Sequence, residues 1–178
     1  MPSPIGHSII GLAIYTSFTP KNRLFKDWKE VAFACLIAIS PDFDYFTVLI
    51  THNTFDHRTY THSLLFALLG AVFIYLAQKI SLRTGNACFP YYFCLISSHV
   101  IADFFVKDGY LPSKIAFYYP LLYMVNSPVS FFGPLNWAKR ELLYSMDNVY
   151  SLIKECLLTS LLFLVIYMRE AHESVRKV

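Results

Sequence analysis

Charged residues are scarce in this chain of 178 amino acids, where Asp, Glu, Lys and Arg together make up 15%. Soluble domains usually contain about 25% charged residues. Hydrophobic residues account for 56% of the chain, and the mean hydropathy is +0.44. This composition argues against a soluble domain, and we predict a single integral membrane domain over residues 1–178.

Several common functional signatures are also missing. The four cysteines show no CxxC spacing, so neither a disulfide framework nor a thiolate zinc site is predicted. The net charge of +3 is spread along the chain and forms no basic patch, which argues against a nucleic-acid partner. The HExxH signature of metalloproteases is absent, so a membrane protease or amidase is a less favoured alternative.

Apolar stretches alternate with short charged loops along the whole chain. They predict six helices, at residues 5–19, 31–50, 61–79, 87–106, 115–137 and 149–168. A bilayer-spanning helix needs roughly 20 apolar residues, so the second, third and fourth segments are long enough. The first is short, and three prolines are expected to break the fifth. We therefore predict an all-α, polytopic membrane helical bundle with about four to six membrane segments.

Histidine, aspartate and arginine residues interrupt this apolar pattern at particular helix ends. They occur at the start of the first helix, late in the second, at the start of the third and at the end of the fourth. These ends share one side of an up-and-down bundle, so the sequence predicts one polar site near one membrane face. The residues, in chain order, are His7, Asp42, Asp44, His57, Arg58, His62, His99 and Asp103.

The spacing of these residues is typical of metal ligation. His99 and Asp103 are four residues apart, so they share one helix face and can bind one ion. Pro41 weakens local helical hydrogen bonding, which lets Asp42 and Asp44 turn toward a common centre. Imidazole and carboxylate groups bind zinc, with manganese and iron as alternatives. A divalent ion also explains two acids in an apolar segment, where one buried charge costs roughly 2.5–3.5 kcal/mol.

Each of these features has another interpretation. A single histidine in a membrane helix is often a hydrogen-bonded packing residue, and paired acids can form a proton relay or a cation pathway. Arg58 can be a loop cation beside lipid headgroups. A cation or proton transporter, or a metal-stabilised scaffold without catalysis, is therefore the alternative to an enzyme. A transporter is expected to carry polar residues deep in the bilayer or at both faces, unlike this chain.

Four segments within residues 5–106 carry a family resemblance, namely GHSIIG, SPDFDYF, DHRTYTHSLLF and SSHVIADFF. Together they resemble the bacterial membrane-bound metal-dependent hydrolases, inner-membrane proteins of which one member is regulated by the LexA repressor. The chain departs from that pattern at Thr59, where the family usually has glycine. The resemblance implies an enzyme in the bacterial inner membrane.

The order of histidines and aspartates is more distantly similar to zinc-dependent phospholipase C and the fungal single-strand nucleases. That likeness implies that Asp42 or Asp44 binds one metal ion together with three further residues. It also implies that His7 joins a second ion, with Asp103 bridging the two, so one or two ions are expected. The three further ligands of the first ion are His62, His99 and Asp103.

The resulting hypothesis is a hydrolase that cleaves a phosphate ester of a membrane lipid, such as a phospholipid or a polyprenyl phosphate. The metal would lower the pKa of water toward neutrality and provide the nucleophile. Arg58 would bind the phosphate oxygens, because its planar guanidinium matches their geometry. Whichever of Asp42, Asp44 and His57 is not a ligand would act as general base or orient a ligand.

Overall fold

The computed structural model describes residues 3–20, 25–46, 50, 59–80, 88–106, 115–121, 124–125, 127–133 and 145–175. Its α-helices are α1 (Pro4–Phe18), α2 (Trp28–Ile39), α3 (Leu64–Ile80), α4 (Phe89–Phe104) and α5 (Met146–Val175). A 3-10 helix, Ser40–Asp44, follows α2 directly. The described ranges contain isolated bridges but no strand, so the predicted all-α class is confirmed.

Local sequence signals start the helices. The Ser3 hydroxyl accepts a hydrogen bond from the Gly6 amide at 3.2 Å, which caps α1. The Asp27 carboxylate accepts from the Lys29 amide at 2.9 Å and caps α2 in the same way. Helices α1 and α4 also carry proline near their first position, where the missing amide hydrogen costs nothing.

Helix α4 lies at the centre of the bundle and packs against α1, α2 and α3, while α5 packs against α1. Small residues let these helices approach closely. A Cβ atom at Gly11 of α1 would lie 2.7 Å from the Cβ of Ala38 in α2, so a glycine is needed there. The buried core consists of Tyr15, Ala34, Ile37, Ala38, Ala67, Ala71, Tyr92, Leu95 and Ile96.

The predicted helix at 115–137 is wrong over the part that the structure describes. That part forms turns and two isolated bridges, Ile115 with Val125 and Val106 with Phe132. Prolines in this segment lack the amide hydrogen that a helix interior requires, which explains why the apolar run does not form a helix. The break that the prolines predicted is present.

The predicted number of membrane segments is not confirmed. Among the described helices, only α5 is long and apolar enough to cross a membrane, over Met146–Arg169, where the most apolar 18 residues have a mean hydropathy of 1.9. Helices α1 to α4 contain 12 to 17 residues. At 1.5 Å per residue they are about 18 to 26 Å long, shorter than a hydrocarbon core of about 30 Å.

Candidate metal centre

Helix α4 delivers two side chains of the candidate site from its last turns. His99 and Asp103 are both buried, at 0% and 1% exposure. They lie one turn apart on the face of α4 that meets α1 and α2, with 3.9 Å between His99 Nε2 and Asp103 Oδ2. The predicted shared face of this pair is confirmed.

The change from α-helix to 3-10 helix brings an aspartate to the same place. The α2 helix ends at Ile39, and Pro41 cannot donate the backbone hydrogen bond that would continue it. The tighter 3-10 turn carries Asp42 toward α4, and its Oδ1 lies 3.3 Å from Nε2 of His99. The α-helix ends before Pro41, as the sequence predicted. Only Asp42 of the two acids joins the pair on α4, since Asp44 lies beside Nδ1 of His62.

The fourth side chain comes from the turn before α3. His62 is fully buried, and Ser63 fixes the end of this turn. The Ser63 hydroxyl donates to the Tyr60 carbonyl at 2.8 Å and accepts from the Phe66 amide at 3.1 Å. The serine therefore stabilises the start of α3, and its hydroxyl is not directed at a histidine.

Asp42, His62, His99 and Asp103 form a compact group in which one ligand atom of each lies within 4.8 Å of the others. The two Nε2 atoms are 3.3 Å apart, and His62 Nε2 lies 3.5 Å from Asp42 Oδ1 and 3.1 Å from Asp103 Oδ2. A tetrahedral zinc ion with bonds of 2.0–2.1 Å has ligand atoms about 3.3 Å apart. These three distances are close to that value, whereas the 3.9 Å between His99 Nε2 and Asp103 Oδ2 is longer, so the group could hold one ion without forming a regular tetrahedron.

Both histidines are held by their other ring nitrogen, so that Nε2 faces the group. The Nδ1–H of His99 donates to the backbone carbonyl of Ala38 at 2.8 Å. The Thr61 hydroxyl lies 3.0 Å from Nδ1 of His62 and donates a hydrogen bond of 2.5 Å to Asp44 Oδ2, which itself lies 3.4 Å from that nitrogen. Such contacts on the outer nitrogen fix the tautomer and orientation of metal-binding histidines.

The charges of the group also favour a cation. Burial lowers the pKa of His62, but the three carboxylates close to its ring raise that pKa well above the ordinary value. Buried carboxylates therefore require a positive partner here, either a proton on His62 or a metal ion. Within the described residues, Asp42 Oδ1 has no hydrogen-bond partner, as expected for a ligand atom.

His7 lies beside the group and is close to Oδ1 of Asp103, whereas the group uses Oδ2 of the same carboxylate. Its Nε2 is 3.4 Å from Asp103 Oδ1, and its ring stacks on His99 with 3.6 Å between the ring centroids. The imidazole is 1% exposed, and neither ring nitrogen makes a hydrogen bond within the described residues. This placement agrees with the expected contact to Asp103, while the second ion itself stays a prediction.

The structure separates the predicted site residues into three sets. Four form the compact group, and two lie next to it, with Asp44 behind His62 and His7 behind Asp103. His57 and Arg58 lie outside the described residues, so their predicted roles are untested. Sequence reasoning missed Thr61 and the Ala38 carbonyl. Thr61 directly precedes His62, a signal that could have identified it, whereas no sequence signal identifies a backbone carbonyl.

The fold and the site define a class of protein, a helical membrane protein with a buried centre of two histidines and two aspartates. The chain belongs to the YdjM inner membrane protein family, whose model matches residues 1–172. No curated protein and no solved structure matches the chain. Membership of an inner membrane protein family supports the predicted membrane location, and the resemblance to hydrolases and to phospholipase C stays a prediction.

Proposed function

We propose that this chain is a metal-dependent hydrolase that cleaves a phosphate ester of a membrane lipid, such as a phospholipid or a polyprenyl phosphate. The observation that carries the proposal is the group of Asp42, His62, His99 and Asp103. Structural zinc sites are mostly built with cysteine, whereas catalytic sites use histidine and carboxylate ligands. The proposed ion is zinc, with manganese or iron as alternatives, and it supplies water of lowered pKa near neutral pH.

The surrounding residues have separate proposed tasks. Asp44 and the Ala38 carbonyl hold the two imidazoles in the orientation that binds the ion. Arg58 binds the phosphate oxygens, since a guanidinium forms two parallel hydrogen bonds with them. His57, which directly precedes Arg58 in the sequence, transfers the proton. His7 and Asp103 hold a second ion where two are present.

Exposed aromatic side chains beside the group support a lipid as substrate. Phe43 lies between Asp42 and Asp44 in sequence and is 50% exposed, and Phe46, two residues after Asp44, is 66% exposed. Tyr60, two residues before His62, is 63% exposed. Aromatic residues are enriched where a membrane meets water. Asp42 is the least buried member of the group, with a side chain 14% exposed, so a lipid phosphate would approach from this side.

We also propose that α1 to α4 lie in the bilayer together with α5, as a bundle of several membrane segments. The outward face of α3 supports this arrangement, because Leu69 and Phe73 are 59% and 74% exposed. Helices shorter than the hydrocarbon core can be accommodated by local thinning of the bilayer.

A metal-stabilised scaffold is the second candidate function, and one observation favours it. The group offers four protein ligands, which is the closed coordination of structural sites, and it joins the 3-10 helix after α2, α4 and the turn before α3. A scaffold would lose its fold with the metal but would hydrolyse no lipid. The two functions therefore differ in activity and not in metal content.

Elemental analysis of the detergent-purified protein is the first test. We expect one or two equivalents of zinc, manganese or iron, lost in a folded His99→Ala, Asp103→Ala variant. Ser98→Ala is the matched control, because the Ser98 hydroxyl donates to the Leu95 carbonyl of its own helix at 2.8 Å. No metal in the reconstituted wild type would refute the proposal.

The metal-loaded protein is then assayed for phosphate-ester cleavage on a panel of phospholipids and polyprenyl phosphates. Turnover that disappears in the double variant and persists in Ser98→Ala supports the hydrolase. Stoichiometric metal without turnover of any lipid supports the scaffold instead. Ion flux in proteoliposomes, if the double variant abolished it, would indicate a transporter.

A further inference from the structure

The candidate membrane helix α5 carries a buried polar stripe on an otherwise apolar surface. Only 17% of the most apolar 18-residue stretch of α5 is buried, yet the buried residues of the helix include a glutamate. Glu155 is 2% exposed. The stripe consists of Asn148, Ser151, Glu155 and Thr159, spaced three or four residues apart along one helix face.

A buried carboxylate in such a helix needs partners, because an unpaired charge in hydrocarbon costs several kcal/mol. Glu155 Oε1 accepts two hydrogen bonds from Ser3, one from its amide at 2.5 Å and one from its hydroxyl at 2.8 Å. Ser3 is the residue that caps α1, and the positive end of the helix dipole also favours a carboxylate there. Glu155 therefore binds the N-terminus of α1.

The contact is close enough to fix the rotation of α1. A Cβ atom at Gly6 would overlap Glu155 Oε1, so the carboxylate lies directly against the backbone of the first turn. The His7 amide donates to the Ser3 carbonyl at 3.1 Å, which places His7 on that same turn. The carboxylate of Glu155 and the imidazole of His7 thus contact or belong to the same turn of α1.

We infer that Glu155 is a positioning residue for His7, which it holds over Asp103 and His99 through the first turn of α1. It thereby links the helix that is long enough to cross the membrane with the proposed metal centre. The inference rests on the proposed function only where it assigns His7 to a metal centre, since the link between α5 and the His7 ring exists without an ion.

The test is the imidazole resonance of His7 in metal-free protein with labelled histidine, assigned by its absence in His7→Ala. In the wild type, the stacked His99 ring shifts this resonance. We expect Glu155→Ala to move it toward the position of an unstacked imidazole by more than the line width. Glu155→Gln, which keeps an acceptor for Ser3, restores the wild-type position.

Thr159→Val is the matched control on the same stripe, because the Thr159 hydroxyl donates to the Glu155 carbonyl within α5 and not to α1. We expect an unchanged His7 resonance there, even if the melting temperature falls. Ser3→Ala removes one donor without leaving a buried charge unpaired, and tests the link if Glu155→Ala does not fold.

An unmoved His7 resonance in both Glu155→Ala and Ser3→Ala, or an equal movement in Thr159→Val, would overturn the inference. If the wild type binds no metal but Glu155→Ala moves the resonance, the proposed function fails and the positioning role stands. If metal binds and the resonance does not move, the proposed centre stands and the role of Glu155 is lost.

Discussion

Replacing Asp44 with asparagine tests whether this residue binds the metal ion or orients the metal-binding His62. The Asp44 carboxylate lies 3.4 Å from Nδ1 of His62, whereas the compact group surrounds Nε2 on the other side of the ring. Asp44 is therefore expected to orient His62 and not to bind the ion. Asparagine keeps the size of the side chain and removes the charge, so the turn before α3 is little disturbed.

The magnitude follows from the type of contact. Loss of an outer partner of a metal-binding histidine typically costs 10- to 100-fold in metal affinity, which is about 1.4–2.7 kcal/mol. We expect this loss in Asp44→Asn, with unchanged stoichiometry at saturating metal. Asp103→Asn removes the negative charge of a ligand within the group and is expected to lower the amount of bound metal itself.

Competition with a chromophoric chelator measures the affinity, and elemental analysis measures the stoichiometry. Asp27→Asn is the matched control, because this aspartate caps the far end of α2 and its side chain bonds the Lys29 amide. Unchanged affinity in Asp44→Asn would show that Asp44 does not orient His62. A loss of stoichiometry equal to that of Asp103→Asn would show that Asp44 is itself a ligand.

Two further predictions concern stability in detergent. Gly11→Ala places a Cβ atom 2.7 Å from the Cβ of Ala38, whereas the nearest atom at Gly70 is the mobile Cδ1 of Ile96 at 3.0 Å. Overpacking costs about 1–3 kcal/mol, so the Gly11→Ala protein should have a lower melting temperature than the Gly70→Ala protein. Equal melting temperatures would contradict the close packing at Gly11. Removal of the metal ion with a chelator should lower the melting temperature, because a bound ion at a free concentration 1,000 times its Kd stabilises the folded protein by about 4 kcal/mol. An unchanged melting temperature after complete metal removal would argue against an ion that joins the helices.

The convergence of the site could be predicted from the sequence because it depends on helix order alone. His7, Asp42, His62 and Asp103 lie at helix ends that alternate along the chain, so an up-and-down arrangement must bring them to one side. For the segment at 115–137, the sequence predicted a break at the prolines but not the turns and bridges that take the place of a helix. The apolar composition of this segment favours a helix, whereas its prolines oppose one. Which of the two prevails, and which bridges form, depends on how the segment packs.

The sequence by itself determined the helical class, the membrane character and the residue types that meet at the site, since these follow from composition and spacing. Only the tertiary structure decided which atoms face the centre. Asp42 and Asp44 are two residues apart and chemically identical, yet one lies beside Nε2 of His62 and the other beside Nδ1. The link from Glu155 to Ser3 joins residues 152 positions apart, and no local pattern specifies such a pair. Distances of this kind depend on how the helices pack, because a shift of about 1 Å exchanges one partner for another.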